Sequence, residues 1–178
     1  MDDLRQFCRK RGGNAIPVYS SKAGCRRVET IYDYAIRDFS NDGYMALKTI
    51  VAGTDFTLPT GTRVQTCLLP HGRLETLALV FTEKSTGKRL AYYTDCHEVS
   101  VPAMEMARDV DLLVLDALHQ KPHPTHLHIA KAVEIAQTLN AKQTYFTHLT
   151  RSVNHATVDE KLPEKINLAY DGLVVNVD

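Results

Sequence analysis

The 178-residue chain has no tryptophan, only four cysteines, no excess of either charge and no long apolar run. Cys8, Cys25, Cys67 and Cys96 stand far apart with no C-x-x-C pair, which excludes a zinc knuckle and a thioredoxin-like redox motif and predicts reduced thiols. Lys and Arg total 21 against 21 Asp and Glu, so there is no broad electrostatic footprint for nucleic acid or an anionic membrane. The longest unbroken apolar run is five residues, Leu77 to Phe81, too short to span a bilayer. No apolar stretch follows the acidic opening Met1-Asp2-Asp3, which excludes a secretory signal in the sequence as it stands and predicts a cytoplasmic protein. G-x-S-x-G, G-x-x-x-x-G-K-[ST] and G-x-G-x-x-G are all absent, so serine acyl transfer and the common nucleotide-binding folds lose support.

What is present is enough for one core. At this length a chain buries about 70% of its unfolded surface, so any metal would serve chemistry and is not needed as a staple. A helix is expected over Asp2 to Arg11, stopped by Gly12-Gly13, then a strand over Ala15 to Tyr19 and a helix capped by Ser20 or Ser21. Strands follow over Ala46–Ala52, Arg63–Leu69, Thr76–Glu83 and Arg89–Thr94, and the short Glu83 to Arg89 connection predicts an antiparallel hairpin. The remainder reads as a helix over Pro102–Arg108, a buried strand over Asp111–Asp116 and an amphipathic helix over His126–Asn140 capped by Thr125. A strand over Gln143–Thr147, a helical turn before Leu162-Pro163 and two terminal strands, Asn167–Tyr170 and Leu173–Val177, complete it. No repeat or linker interrupts the pattern, so residues 1–178 read as a single layered α/β domain with a mixed sheet.

Three apolar strands run directly into a titratable residue: Cys67-Leu68-Leu69-Pro70 into His71, Ala91-Tyr92-Tyr93-Thr94 into Asp95, and Thr144-Tyr145-Phe146-Thr147 into His148. Strand ends are where open α/β sheets gather ligands, and imidazole with carboxylate suits zinc and related divalent ions. A second cluster, Lys121-Pro122-His123-Pro124-Thr125-His126-Leu127-His128, leads into the amphipathic helix. If His126 occupies its first turn, the helix macrodipole favours the uncharged imidazole. His126 is thus the preferred functional residue of the cluster, His128 is expected to face solvent, and His123, between two prolines, reads as structural.

In order along the chain, His71-Gly72, Tyr93-Thr94-Asp95-Cys96, Leu113-Val114-Leu115-Asp116-Ala117-Leu118, His123-Pro124-Thr125-His126, Tyr145-Phe146-Thr147-His148-Leu149 and Ala169-Tyr170-Asp171-Gly172-Leu173 resemble the metallo-β-lactamase-fold hydrolases, specifically the PhnP-like branch. That resemblance implies an α/β fold, the metallo-β-lactamase αββα sandwich with mixed sheets. It implies two divalent metals, zinc or manganese, with His71 a ligand of one, His148 a ligand of the other and Asp95 bridging both. His126 matches a histidine near the scissile phosphate, so the implied activity is phosphodiester hydrolysis of a small cyclic or nucleotide-like phosphate by a metal-activated water. An RNA-processing nuclease of the same fold and a non-catalytic binding or scaffold remnant are the alternatives. The expected partners are a small phosphodiester and, as an open option, a second copy in a homodimer, with no membrane and no nucleic acid.

The family pattern is also incomplete here. Members carry H-x-H-x-D-H on an early strand, supplying four ligands, and these 178 residues contain no such motif. In the family a segment like Asp2-Asp3-Leu4-Arg5-Gln6-Phe7 follows closely behind it, so the expectation is a chain truncated at its N-terminus, through a misplaced start, an artificial boundary or natural loss. With His71, Asp95 and His148 alone each metal keeps about two protein ligands, where zinc takes three or four. Weak metal binding and little turnover are expected. Arg151 stands where relatives often carry a histidine, while His155 keeps its place.

Overall fold

The computed structural model describes residues 2–37 and 42–177, which form two compact units, Met1–Ala52 and Gly53–Asp178. In the first, helix α1 (Leu4–Lys10) is followed by strand β1 (Ile16–Ser21), helix α2 (Lys22–Ile31) and strand β2 (Met45–Ile50). Ser21 caps α2 as its sequence predicts, its hydroxyl accepting from the Gly24 N–H at 3.1 Å. β1 and β2 pair in parallel, an arrangement that requires a crossover, and α2 lies within it. Cys8, Ala35, Tyr44 and Met45 form the small core of this unit, with Leu4, Ile16, Val18 and Val28 against them.

The second unit holds a seven-stranded sheet in sequence order: β3 (Asp55–Thr57), β4 (Arg63–His71), β5 (Leu74–Thr82), β6 (Arg89–Tyr93), β7 (Leu112–Asp116), β8 (Gln143–Thr147) and β9 (Ile166–Leu168). β3 to β6 pair antiparallel and β6 to β9 parallel, so the sheet is mixed and the Glu83–Arg89 hairpin is present. Helices α3 (Val101–Ala107), α4 (Ile129–Leu139) and α5 (His155–Asp159) occupy the connections among the parallel strands. Leu69, Ala78, Val80, Ala91, Tyr93, Leu113, Leu115 and Phe146 are buried with Ala103, Ala132, Ala136 and Leu139 of the helices. All four cysteines are free and buried. Among the described residues no helix is long and apolar enough to cross a membrane.

The structure departs from the sequence reading in three places. β3 has no counterpart in it; only three residues long, Asp55–Thr57 lies below the length at which alternation is readable. Residues 173–177 form no strand, although their Val-rich composition predicts one; without a ladder partner, β-propensity alone does not make a strand. The amphipathic helix begins at Ile129, with His128 at the N-cap, and Thr125 does not cap it. His126 therefore lies in the preceding loop, outside the first helical turn.

Candidate functional site

β4 is antiparallel to β5 and β5 to β6, so β4 runs the same way as β6, which is parallel to β7 and β8. Four strands thus end on one edge of the sheet, and His71, Asp95, Asp116 and His148 leave from there. Ligand atoms of His71, Asp95 and His126 all lie within 4.8 Å of one another. His148 joins them: its Nε2 is 3.2 Å from Asp95 Oδ1, and its ring stacks on His126 with centroids 4.8 Å apart. The His71 ring meets His126 edge-on at 4.7 Å. The four residues singled out from the sequence therefore converge, although they are spread over 78 positions.

Each is held by a local device. Asp95 and His148 both have left-handed backbone, φ 54° and 64°, a conformation uncommon outside glycine that turns each side chain sharply as its strand ends. His71 ends β4 at a tight turn through Gly72, whose φ is 61° and where an added Cβ would come within 2.7 Å of Thr125 Cγ2. His71 Nδ1 lies 2.9 Å from the Thr125 carbonyl, so it donates, and Nε2 is the nitrogen left for a ligand when the ring is neutral.

The residue that the sequence reading did not place in the site is Asp116. It is fully buried at the end of β7, and its Oδ2 accepts from the Cys96 N–H at 2.9 Å and from His126 Nδ1 at 2.8 Å. Its Oδ1 has no hydrogen-bond partner among the described residues. A carboxylate closing the apolar run Leu112–Leu115 was the available signal, because burying a charge demands a partner. Two more histidines extend the cluster: His123 lies 5.2 Å from the His126 ring and His119 5.6 Å from His123. Partial burial first, then the neighbouring His126 and His119, lower the proton affinity of His123 and favour its neutral form. The Cys96 thiol, enclosed in the core and near Asp116 and Asp95, is pushed far above the ordinary range and is inert.

The loop carrying these imidazoles is closed by its own backbone. Leu118 N–H donates to Leu127 O at 2.9 Å, Ile129 N–H to His119 O at 3.0 Å, and Leu127 N–H to Cys96 O at 2.7 Å. Its two ends are thereby tied to each other and to the segment bearing Asp95.

Comparison with known proteins follows the same lines. The family described as Beta-lactamase superfamily domain matches residues 1–149. The crystal structure of a new diphosphatase from the PhnP family is 33% identical, with a TM-score of 0.84 over 97% of this chain and 63% of its own. The chain thus spans less than two thirds of that protein. Zn²⁺-bound PqqB from Methylobacterium extorquens is 15% identical with a TM-score of 0.73, covering 94% of this chain and 67% of its own. Human tRNase Z, short form, is 16% identical with a TM-score of 0.65, covering 93% and 69%. These last two show the fold alone. No curated protein sequence matches the chain. With its mixed sheet and its sheet-edge histidines in place, the chain belongs to the β-lactamase superfamily domain family, has the metallo-β-lactamase fold and is PhnP-like.

Proposed function

We propose that this chain carries the histidine-rich side of a metal-dependent hydrolase centre whose substrate is a small phosphodiester, cyclic or nucleotide-like. A single observation carries the reading: the His126 imidazole, fixed at Nδ1 by a fully buried carboxylate, lies against both the His71 and His148 rings. The 33%-identical PhnP-family structure is of a diphosphatase, which favours a phosphoanhydride as the second candidate bond.

The residues present fit a divalent ion. His71 offers a bare Nε2 because its Nδ1 is engaged with a backbone carbonyl, the outer-sphere arrangement that orients histidine ligands. His71, Asp95 and His148 would hold zinc or manganese, with Asp95 placed between the two histidines. When bound, such an ion supplies a Lewis acid and an acidified water. His126 keeps Nδ1 on Asp116 and presents Nε2 to the site; a proton taken there leaves an imidazolium whose charge Asp116 balances, and which can return the proton to a leaving oxygen. Burial of Asp116 prevents the ring from rotating out of this register.

Calorimetric Zn²⁺ titration and hydrolysis of a cyclic nucleotide phosphodiester test the reading. The 178-residue chain is expected to bind Zn²⁺ weakly, to lose that binding as Asp95→Ala, and to turn over little diester. In a version extended by an H-x-H-x-D-H segment, His126→Ala is expected to cut turnover by about 10²–10⁴-fold with metal content unchanged. Zn²⁺ binding indifferent to Asp95→Ala, or metal loss on His126→Ala with turnover per bound metal preserved, would overturn it. Steeply salt-dependent RNA binding would instead favour a nuclease.

A further inference from the structure

Hydrogen bonds sort the clustered imidazoles by where the proton sits. A carbonyl oxygen faces His71 Nδ1 at 2.9 Å and a carboxylate oxygen faces His126 Nδ1 at 2.8 Å; both oxygens only accept, so both Nδ1 atoms carry hydrogen and, in the neutral ring, Nε2 is the bare nitrogen of each. His123 is the reverse. The Thr125 backbone N–H donates to His123 Nδ1 at 3.3 Å, and the Thr125 hydroxyl lies 3.2 Å from the same nitrogen. A nitrogen that accepts from an N–H has no hydrogen of its own, so the neutral His123 ring carries its proton on Nε2.

The same bond removes His123 from the set of metal ligands, because its lone pair is occupied at Nδ1 and its other nitrogen is protonated. It leaves an N–H donor near two nitrogens, His71 Nε2 and His126 Nε2, that cannot donate to an anionic oxygen while their rings are neutral; His148 Nε2, 3.2 Å from Asp95 Oδ1, is directed at that carboxylate instead. The ring is also pre-set. Pro122 and Pro124 flank it, and a following proline confines His123 to extended backbone. His119 packs edge-on against it at 5.6 Å, with its own Nδ1 buried and unbonded among the described residues, and the His126 ring lies 5.2 Å away. A donor fixed in this way gives up little entropy when it meets an oxyanion.

We propose that His123 is a further substrate-binding group of this site, a neutral imidazole whose Nε2–H donates to a phosphoryl or leaving-group oxygen while His126 works from its bare Nε2. The proposal rests on the hydrolase reading above, and it replaces the structural role that the two prolines suggest. Phosphate esters and anhydrides are the ligand class it serves, because their oxygens accept and carry charge.

Long-range ¹H–¹⁵N correlation on histidine-labelled chain tests it, recorded at about pH 8 where free imidazole is neutral. His123 is expected in the Nε2–H form, with His71 and His126 in the Nδ1–H form. Zn²⁺ is expected to move the His71 and His148 signals. Inorganic pyrophosphate added next is expected to move the His123 Nε2 signal, with an affinity about tenfold weaker in His123→Phe and substantially restored in His123→Gln, whose amide nitrogen can still donate. Thermal melts of both variants confirm that each is folded at the temperature of the titration. An Nδ1–H tautomer at His123, a pyrophosphate affinity unchanged by His123→Phe, or no pyrophosphate binding by the unmodified chain would overturn the proposal. If Zn²⁺ leaves His71 and His148 unmoved while His123 keeps its tautomer and its pyrophosphate response, the metal reading falls and this one stands.

Discussion

The two carboxylate–histidine pairs of the site are built on opposite terms. In Asp116–His126 the side chains are 0% and 12% exposed, 2.8 Å apart, and the carboxylate also holds a backbone N–H. In Asp95–His148 they are 45% and 39% exposed, 3.2 Å apart, on two left-handed residues. The first pair is fixed by the core of the sheet and needs nothing further to keep its geometry. The second stands open to solvent, where such a pair contributes little by itself. Half of the site is therefore preorganised by folding, and half is positioned to respond to what binds.

The sharpest way to break that contrast is to remove each carboxylate. Asp116→Ala strands the Cys96 N–H and frees His126, and is expected to cost about 3 kcal/mol in urea unfolding. Asp95→Ala is expected to change unfolding by under about 1 kcal/mol, with its effect confined to Zn²⁺ affinity. Equal losses in the two variants would erase the distinction. Gly72→Ala should fall between them, at about 1–2 kcal/mol, because it places a side chain at φ 61° against Thr125 next to His71. A weaker Zn²⁺ affinity in that variant would show that the turn also sets the ligand's position.

Glu83 supplies the smallest expected effect and a calibration. It is an exposed carboxylate held down at about 2 by the Ser85 backbone N–H first, then by the Thr86 N–H and the hydroxyls of Thr86 and Ser85. A carboxylate lowered by folding stabilises the native state above its unfolded value of about 4.3, and that contribution fades as the pH falls through the native value. The melting temperature of Glu83→Gln should lie slightly below that of the unsubstituted chain at neutral pH and converge with it toward about pH 2. A gap that persists in acid would mean that the hydroxyl contacts, and not the charge, stabilise the turn.

Much of the site could be read in the sequence because its residues close apolar runs. A run such as Tyr145-Phe146-Thr147 followed by His148 marks a strand end, and strands of common direction bring such ends to one edge. What could not be read was set by contacts distant in sequence. The start of α4 at Ile129 depends on the loop before it being laced to itself and to Cys96, and no local propensity records that. Asp116 stood in a quoted motif, yet its role came only with the fold, since its partners lie ten and twenty positions away. The proton positions on His71, His123 and His126 are likewise fixed by Thr125 and Asp116, and residue identity alone leaves both tautomers open. The terminal segment 173–177 shows the converse, strand-like composition without a ladder partner.

The backbone ties at Leu118–Leu127 and His119–Ile129 make the intervening stretch a sealed cassette. Its tip, at Gln120 and Lys121, is exposed. Residues can be added, removed or exchanged there without disturbing the anchored end that carries His126, much as an antibody scaffold tolerates variation at its fingertips. The rim can thus change in sequence while the buried acid–imidazole pair stays unaltered.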